Sequence, residues 1–396
     1  MKILMLSHLC PFPANTGAHV RIANIYLGLS QYHEITFVCP SAETCDSPYD
    51  IVVIPTSQHT LLRKVRALLS IDPYHQSLYY EPPMMKEVKA LLSTEDFDLI
   101  YAHCFYTLPY VMGVKNIPIL VDQQNVDREY WMRKANSRTA SLFLKAFALI
   151  NTCKVVMLEN NMQKHITGYV SVSVKDSQHT GTYAKKDVEY FLVAPNGVDV
   201  SHYRQKKYHT ISKKLVLGFL GSLDLYLNQS AAERLCNKIL PLVRSILPTF
   251  EISTLLIGRN PPASIQNLAR KDPLVSVTGT VNDVQPYLEE VDILVLPLEE
   301  GAGTKLRVLE AMAVGLPVIG SYLALRGIDG IVPGIHALIA SNDNSFAIQI
   351  TELALNPIKM RNMGRAARKL VESSYRWENI TRKLSKDIES LVGIHS

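Results

Sequence analysis

Residues 292–330, DILVLPLEEGAGTKLRVLEAMAVGLPVIGSYLALRGIDG, constrain the fold of this chain more than any other stretch. They read as strand, loop, helix and strand. Residues 292–298 are a short apolar run bounded by a proline and two carboxylates, the pattern of a strand buried on both faces of a parallel sheet. Gly301, Ala302, Gly303 and Thr304 make a small-residue loop. Leu306, Val308, Leu309, Met312 and Ala313 then recur at three- and four-residue spacing, which predicts a helix beginning near Thr304. Gly315 and Pro317 end it, and residues 317–321 form the next strand.

The chemistry sits where loop becomes helix. A helix start presents unpaired N–H groups and the positive end of the helix dipole, which stabilise a phosphate. Glycines let the backbone approach a ligand closely, and Lys305 and Arg307 add positive charge. Glu310 lies on the second turn of a mostly apolar helix, where a carboxylate accepts two hydrogen bonds from a vicinal diol such as a ribose. Phosphate donors followed by a diol acceptor describe a nucleotide pocket. An ordinary βαβ unit with a capped helix and an exposed glutamate meets the same spacing.

Residues 303–319, GTKLRVLEAMAVGLPVI, resemble the donor-site signature of retaining GT-B glycosyltransferases, in particular glycosyltransferase family 4. Residues 194–199, APNGVD, resemble the close of that family's N-terminal domain. Residues 219–223, FLGSL, resemble the first strand and glycine turn of its nucleotide-binding domain. Residues 277–281, VTGTV, with Val284 and Leu288, resemble its mid-domain strand and helix. The motifs follow the family's order over most of the chain. They are specific for fold and superfamily, and not for the sugar.

The resemblance implies an α/β chain of GT-B type, with two doubly wound Rossmann-like domains facing a cleft. An acceptor-binding domain would span 1–205 and a nucleotide-sugar-binding domain 206–374, with a helix over 375–396 crossing back to the first. It implies a hexosyltransferase of polysaccharide or exopolysaccharide biosynthesis. Such an enzyme moves a sugar from a nucleoside diphosphate sugar to a glycan or lipid-linked acceptor, with retention and with no metal or other cofactor. Lys305 and Glu310 would be catalytic. The donor would be held by Gly17, Gly221, Ser222, Arg259, Val281, Ala302, Gly303, Thr304, Lys305, Leu306 and Glu310. His103, Asp122, Asn125 and Asp127, at strand ends of the first domain, would face the acceptor. For Gly17, His103 and Asp127 the plain readings are a turn glycine, a structural histidine and a helix N-cap.

Three departures from the family pattern bear on the site. Ala302 stands where a glutamate usually contacts the transferred sugar, Ser222 and Asn228 stand where an arginine and a lysine usually meet the diphosphate, and Gln124 stands where relatives carry a histidine. An exopolysaccharide-associated branch shares the small-residue loop, and Lys305 is the expected replacement for the lost charge. Two other readings remain open: a nucleotide-sugar epimerase, and a non-catalytic binding or scaffolding partner in glycan assembly.

The rest of the chain fits a two-domain globular protein: 396 residues, 47% apolar and 19% charged. A net charge of +5 is too mild to imply nucleic acid by itself, and no basic tract is interleaved with the aromatics of a nucleic-acid module, so no nucleic-acid partner is expected. Six cysteines without paired spacing read as reduced thiols of a cytoplasmic protein, and twelve histidines include no HxH or HExxH metal motif. Residues 1–6 read as a first strand rather than a leader. Further strands are expected at 34–39, 49–55, 97–103, 117–123, 190–194, 215–220, 251–257 and 275–280. No GxGxxG follows a strand, which argues against NAD.

Two amphipathic segments stand apart. Leu61, Leu62, Val65, Leu68 and Leu69 form one helical stripe, with Arg63, Lys64 and Arg66 opposite. Residues 128–164 carry seven Lys/Arg against two Glu, with Trp131, Phe143, Leu144 and Phe147 among them. Such stripes face the core in most proteins; the alternative is peripheral contact with an anionic membrane surface.

Overall fold

Two all-parallel sheets organise the chain. The computed structural model describes residues 1–14, 16–41, 51–56, 60–124, 127–137, 141–185, 188–207, 213–299 and 306–393. These form two compact units, residues 1–195 with 377–396, and residues 196–376.

The first unit holds strands β1 (Lys2–Leu6), β2 (Glu34–Ser41), β3 (Val52–Pro55), β4 (Leu99–His103), β5 (Ile119–Gln123), β6 (Gly168–Ser171) and β7 (Tyr190–Val193). They lie in the order β3-β2-β1-β4-β5-β6-β7, parallel throughout. Its helices are α1 (Gly17–Leu29), α2 (Leu61–Leu69), α3 (Tyr74–Tyr79), α4 (Pro82–Thr94), α5 (Asp127–Ala135), α6 (Leu142–Met162) and α7 (Val174–Tyr183). The second unit holds β8 (Lys214–Leu220), β9 (Glu251–Ile257), β10 (Val275–Val277), β11 (Ile293–Leu296), β12 (Val318–Gly320) and β13 (Leu338–Ile339), in the parallel order β10-β9-β8-β11-β12-β13. Its helices are α8 (Tyr226–Arg234), α9 (Leu240–Ile246), α10 (Ala263–Lys271), α11 (Gln285–Glu290), α12 (Leu306–Val314), α13 (Tyr322–Leu325), α14 (Asp343–Leu355) and α15 (Pro357–Ser374). The last helix, α16 (Trp377–Val392), belongs to the first unit.

The central strands are apolar on both faces because both faces are covered. Along β1, Ile3 and Met5 pack with Ile22 and Ile25 of α1 and with Ile380 and Leu384 of α16. Leu4 and Leu6 face the other way, towards Met84 and Val88 of α4. Gly28 permits the close crossing of α1 and α16, since a Cβ there would lie 2.3 Å from Thr381 Oγ1.

Two strands were not anticipated. The strand β6 begins with a glycine, which weakens any strand pattern; here it lets β7 approach, and a Cβ at Gly168 would lie 2.6 Å from Tyr190 O. The strand β13 has two residues. Between β8 and β9 the chain forms α8, a π-helical turn over Leu235–Ile239, and α9 rather than one continuous α-helix. Pro241, without an N–H, sits in the first turn of α9, and the wider turn before it absorbs the mismatch. The stretch from Val198 to Lys206 is held within the second unit. Val198 N–H donates to Tyr375 O and Lys206 N–H to Val314 O, each at 2.8 Å, and Val200 and Tyr203 are buried in that unit's core. Cys39, Cys104, Cys153 and Cys236 are free thiols. Cys10 is disulfide-bonded, contrary to the expectation for that residue.

Candidate functional site

Each sheet reverses its strand order beside its first strand, between β1 and β4 and between β8 and β11. Ligands of open α/β sheets sit beyond the C-terminal strand ends at that reversal. In the second unit, the loop after β8, the first turn of α8 and the first half of α12 bring Gly221, Ser222, Asn228, Arg307 and Glu310 to this edge.

The loop after β8 is pinned to the end of β9. Gly221 N–H donates to Ile257 O at 2.9 Å, and Leu223 N–H to Arg259 O at 3.0 Å. Gly258 makes this possible, since a Cβ there would lie 1.9 Å from Gly221 O. Gly221 in turn leaves room for a guanidinium, because its Cβ would lie 2.3 Å from Arg307 Nη1. Arg307 Nη1 donates to Asn228 Oδ1 at 2.9 Å, and the fully buried Asn228 donates from Nδ2 to Ser222 O at 2.7 Å. A cation from α12 is thus moored to the glycine turn by a continuous hydrogen-bonded chain. Burial pushes the Arg307 guanidinium down to about 10, with the Glu310 charge opposing, so it is charged at neutral pH.

Glu310 follows one turn further along α12. Burial raises its carboxyl above the usual range, and the Tyr203 hydroxyl, then the charges of Arg307 and His202, oppose the rise. Tyr203 is buried, and its hydroxyl is raised by burial and then by Glu310, so it keeps its proton and donates to the carboxylate. Its backbone is fixed by Arg368 of α15, whose Nη1 donates to Tyr203 O at 2.9 Å. The His202 ring packs edgewise on Tyr203 at 4.9 Å, and His202 Nε2 lies 3.1 Å from Asp283 Oδ1.

The other expected donor residues are dispersed. Leu306 opens α12 and packs on the core, as Val281 does beyond β10. Arg259 is half-buried, its Nε 4.0 Å from Asp224 Oδ2. Gly17 is exposed at the start of α1 in the first unit, after Thr16, whose hydroxyl accepts from His19 N–H. Ala302, Gly303, Thr304 and Lys305 lie outside the described residues, as does Asn125.

At the strand ends of the first unit, Arg21, His103 and Asp122 form a buried cluster. Arg21 donates from Nη2 to Asp122 Oδ1 at 2.6 Å and from Nη1 to Ala194 O at 2.8 Å. His103 Nδ1 lies 3.1 Å from Asp122 Oδ2. Burial would raise the Asp122 carboxyl, but the Arg21 charge and the His103 hydrogen bond outweigh it and hold the group at about 2. Both oxygens of Asp122 are engaged and the side chain is sealed from solvent, so it acts as the anchor of His103 and α1. Asp127 is more accessible. Its Oδ1 accepts from Tyr106 OH at 2.7 Å, and burial pushes its carboxyl up to about 6 against that hydrogen bond. Tyr106 also meets His75 Nδ1 at 3.2 Å, and the ring of His8 packs on it edgewise at 5.7 Å.

Sequence reasoning missed Arg21, Tyr203 and the mooring of Arg307. Arg21 had a signal, a charge beside Ile22, Ile25 and Leu29 on a helix that is otherwise core. Tyr203 had none, because it meets Glu310 only through the fold. Among the described residues no group of three or more His, Cys, Asp or Glu is arranged to hold a metal ion, and no helix is long and apolar enough to cross a membrane.

Residues 214–356 match the family model described as glycosyl transferases group 1. No curated protein matches the chain. Among solved structures, sucrose-phosphate synthase from Thermosynechococcus elongatus superposes with a TM-score of 0.72 at 15% identity, over 100% of both chains. Anabaena HepE in complex with UDP-glucose gives 0.65 at 13%, over 98% of this chain and 100% of that one. WaaG, a glycosyltransferase involved in lipopolysaccharide biosynthesis, gives 0.64 at 13%, over 98% and 99%. With two parallel-sheet Rossmann-like units and these likenesses, the chain has the GT-B glycosyltransferase fold.

Proposed function

We propose that this chain is a retaining hexosyltransferase of the family 4 type. It moves a sugar from a nucleoside diphosphate sugar to a glycan or lipid-linked acceptor in polysaccharide or exopolysaccharide biosynthesis, at the cytoplasmic face of a membrane. The observation that carries the reading is the pairing on α12 of a moored cation, Arg307, with a half-buried carboxylate, Glu310, at the strand reversal of the second unit. UDP-glucose in the HepE structure favours a UDP-sugar.

In this reading Glu310 accepts hydrogen bonds from the ribose diol, exchanging its Tyr203 contact for two ligand hydroxyls. Lys305 and Arg307, with the N–H groups of residues 303–305, stabilise the diphosphate as the anomeric C–O bond breaks. The acceptor oxygen forms the new bond on the same face of the sugar, and its proton passes to the departing phosphate oxygen. Protein cations carry the leaving-group charge, so the step uses no metal. On the acceptor side Asp127 and Asn125 hold a hydroxyl, the rings around Tyr106 offer faces for a sugar, and His103 and Asp122 support them from beneath.

The test is release of nucleoside diphosphate from UDP-, GDP- and ADP-sugars with glycan and lipid-linked acceptors, together with the anomeric configuration of the product. One donor class is expected to turn over with retention, and Glu310→Ala and Lys305→Ala to lower the rate by about 10²–10³. An inverted product sinks retention. Turnover unchanged in both variants sinks the site, and donor binding without transfer leaves a non-catalytic partner.

A further inference from the structure

The helix α2 is inverted relative to an ordinary amphipathic helix of a folded domain. Its apolar stripe points outward, with Leu62 79%, Leu69 82% and the following Ile71 91% exposed, while its one buried residue is Ala67. Of its three basic residues Arg63 turns to the protein, while Lys64 and Arg66 are exposed. Arg63 Nη2 lies 2.6 Å from Glu81 Oε1 and donates to Tyr80 O at 2.9 Å. Helix α6 repeats the pattern, burying Ala148, Asn151, Thr152 and Val155 while Phe143, Ile150 and Met157, seven residues apart, stand exposed.

The two stripes are joined. Lys154 Nζ of α6 donates to Ser70 O at the end of α2 at 2.5 Å, and Tyr74 N–H donates to Asn151 Oδ1 at 2.9 Å. Of the 27 large exposed apolar side chains among the described residues, 12 fall within residues 61–71 and 142–157. Scattered exposed leucines need no explanation, but a concentration of this kind marks an interaction surface. The same two segments carry five basic residues, Arg63, Lys64, Arg66, Lys145 and Lys154, and no Asp or Glu.

We propose that the face built by α2 and α6 docks the protein on an anionic lipid bilayer, with the apolar stripes entering the headgroup boundary and Lys64 and Arg66 meeting lipid phosphates. The charge selects this occupant. An apolar surface whose two segments carry exposed Lys64 and Arg66 and no carboxylate of their own matches an anionic membrane, whereas a second copy of the same face would set like charges against each other. The inference stands independently of the donor site, and its test needs no donor and no activity.

The full chain is mixed with vesicles of phosphatidylcholine alone or with about one third phosphatidylglycerol, and bound protein is measured by flotation at low and at high salt. Binding to the anionic vesicles is expected to exceed that to neutral ones by about tenfold or more, and to weaken with salt as charges are screened. Leu69→Glu with Phe143→Glu, and separately Lys64→Glu with Arg66→Glu, are expected to lower anionic binding at least about tenfold with unchanged circular dichroism and melting temperature. All four side chains are exposed or half-exposed, so folding is not at stake. Equal binding to both vesicle types, or binding indifferent to both variants, overturns the proposal. So does absence of vesicle binding accompanied by a dimer that the Leu69→Glu, Phe143→Glu variant dissolves, which assigns the face to self-association.

Discussion

Arg307 and Asp122 show how one charged side chain is made tolerable inside an α/β sheet edge, and to what end. Arg307 is desolvated yet charged, held by Asn228 against a turn where only glycine leaves space. The bond to Asn228 fixes the guanidinium in place, and electrostatic stabilisation is strongest from a donor positioned in advance. Asp122 is spent on structure, bridging α1, β4 and β5 through Arg21 and His103. Removing one partner of a buried ion pair leaves the other uncompensated, so Asp122→Ala is expected to cost about 3–5 kcal/mol in denaturant unfolding. The carboxyl is also a pH probe. It is held at about 2 against 3.8 in the unfolded chain, so its stabilisation is present above 3.8 and is lost as pH falls through about 2. Asp122→Asn is expected to flatten that acid limb of the stability curve, and an unaltered limb would contradict the role.

At the scale of elements, the joint between α1 and α16 is the most exacting. Gly28 accepts Thr381 where any side chain would collide with its Cβ, Oγ1 and Cγ2. Gly28→Ala is expected to destabilise the first unit by about 1–3 kcal/mol through overpacking, and Thr381→Ala to recover part of that loss in the double variant. Additive losses would show that the crossing is looser than the structure shows. The legibility of elements followed their physics. Strands β1, β4, β5, β8, β9 and β11 are largely buried on both faces, and their mainly apolar runs made them readable. The strand β6 was hidden by the glycine that lets it pair, and β13 by its shortness. The stripe on α2 was visible, but its outward direction was not. That direction depends on Arg63 finding Glu81 and Tyr80 across a later turn, a tertiary fact without a local signal. The site divides in the same way: Glu310 follows from helical spacing, whereas the contacts of Arg307 with Gly221 and Asn228 join residues some eighty positions apart.

For the molecule as a whole, two sheets that share one strand order over six strands carry different side-chain clusters. The second gathers a cation and a carboxylate on one helix facing a glycine turn. The first gathers aromatic and acidic groups around Tyr106 and Asp127 and carries the apolar face of α2 and α6. This division of labour rests on the second unit being the donor site, and direct binding tests that best. Calorimetric titration of the chain with UDP, GDP and ADP and their sugars, alongside Glu310→Ala and Arg307→Ala, is the measurement. The account predicts that one nucleotide class binds. Losing a charge-assisted contact should weaken binding by about 1.5–3 kcal/mol, roughly 10- to 150-fold, in each variant, and wild-type affinity should fall as pH drops through the raised range of the Glu310 carboxyl. Binding of a nucleotide with full affinity to both variants, or no binding of any nucleotide to the wild-type chain, would contradict it.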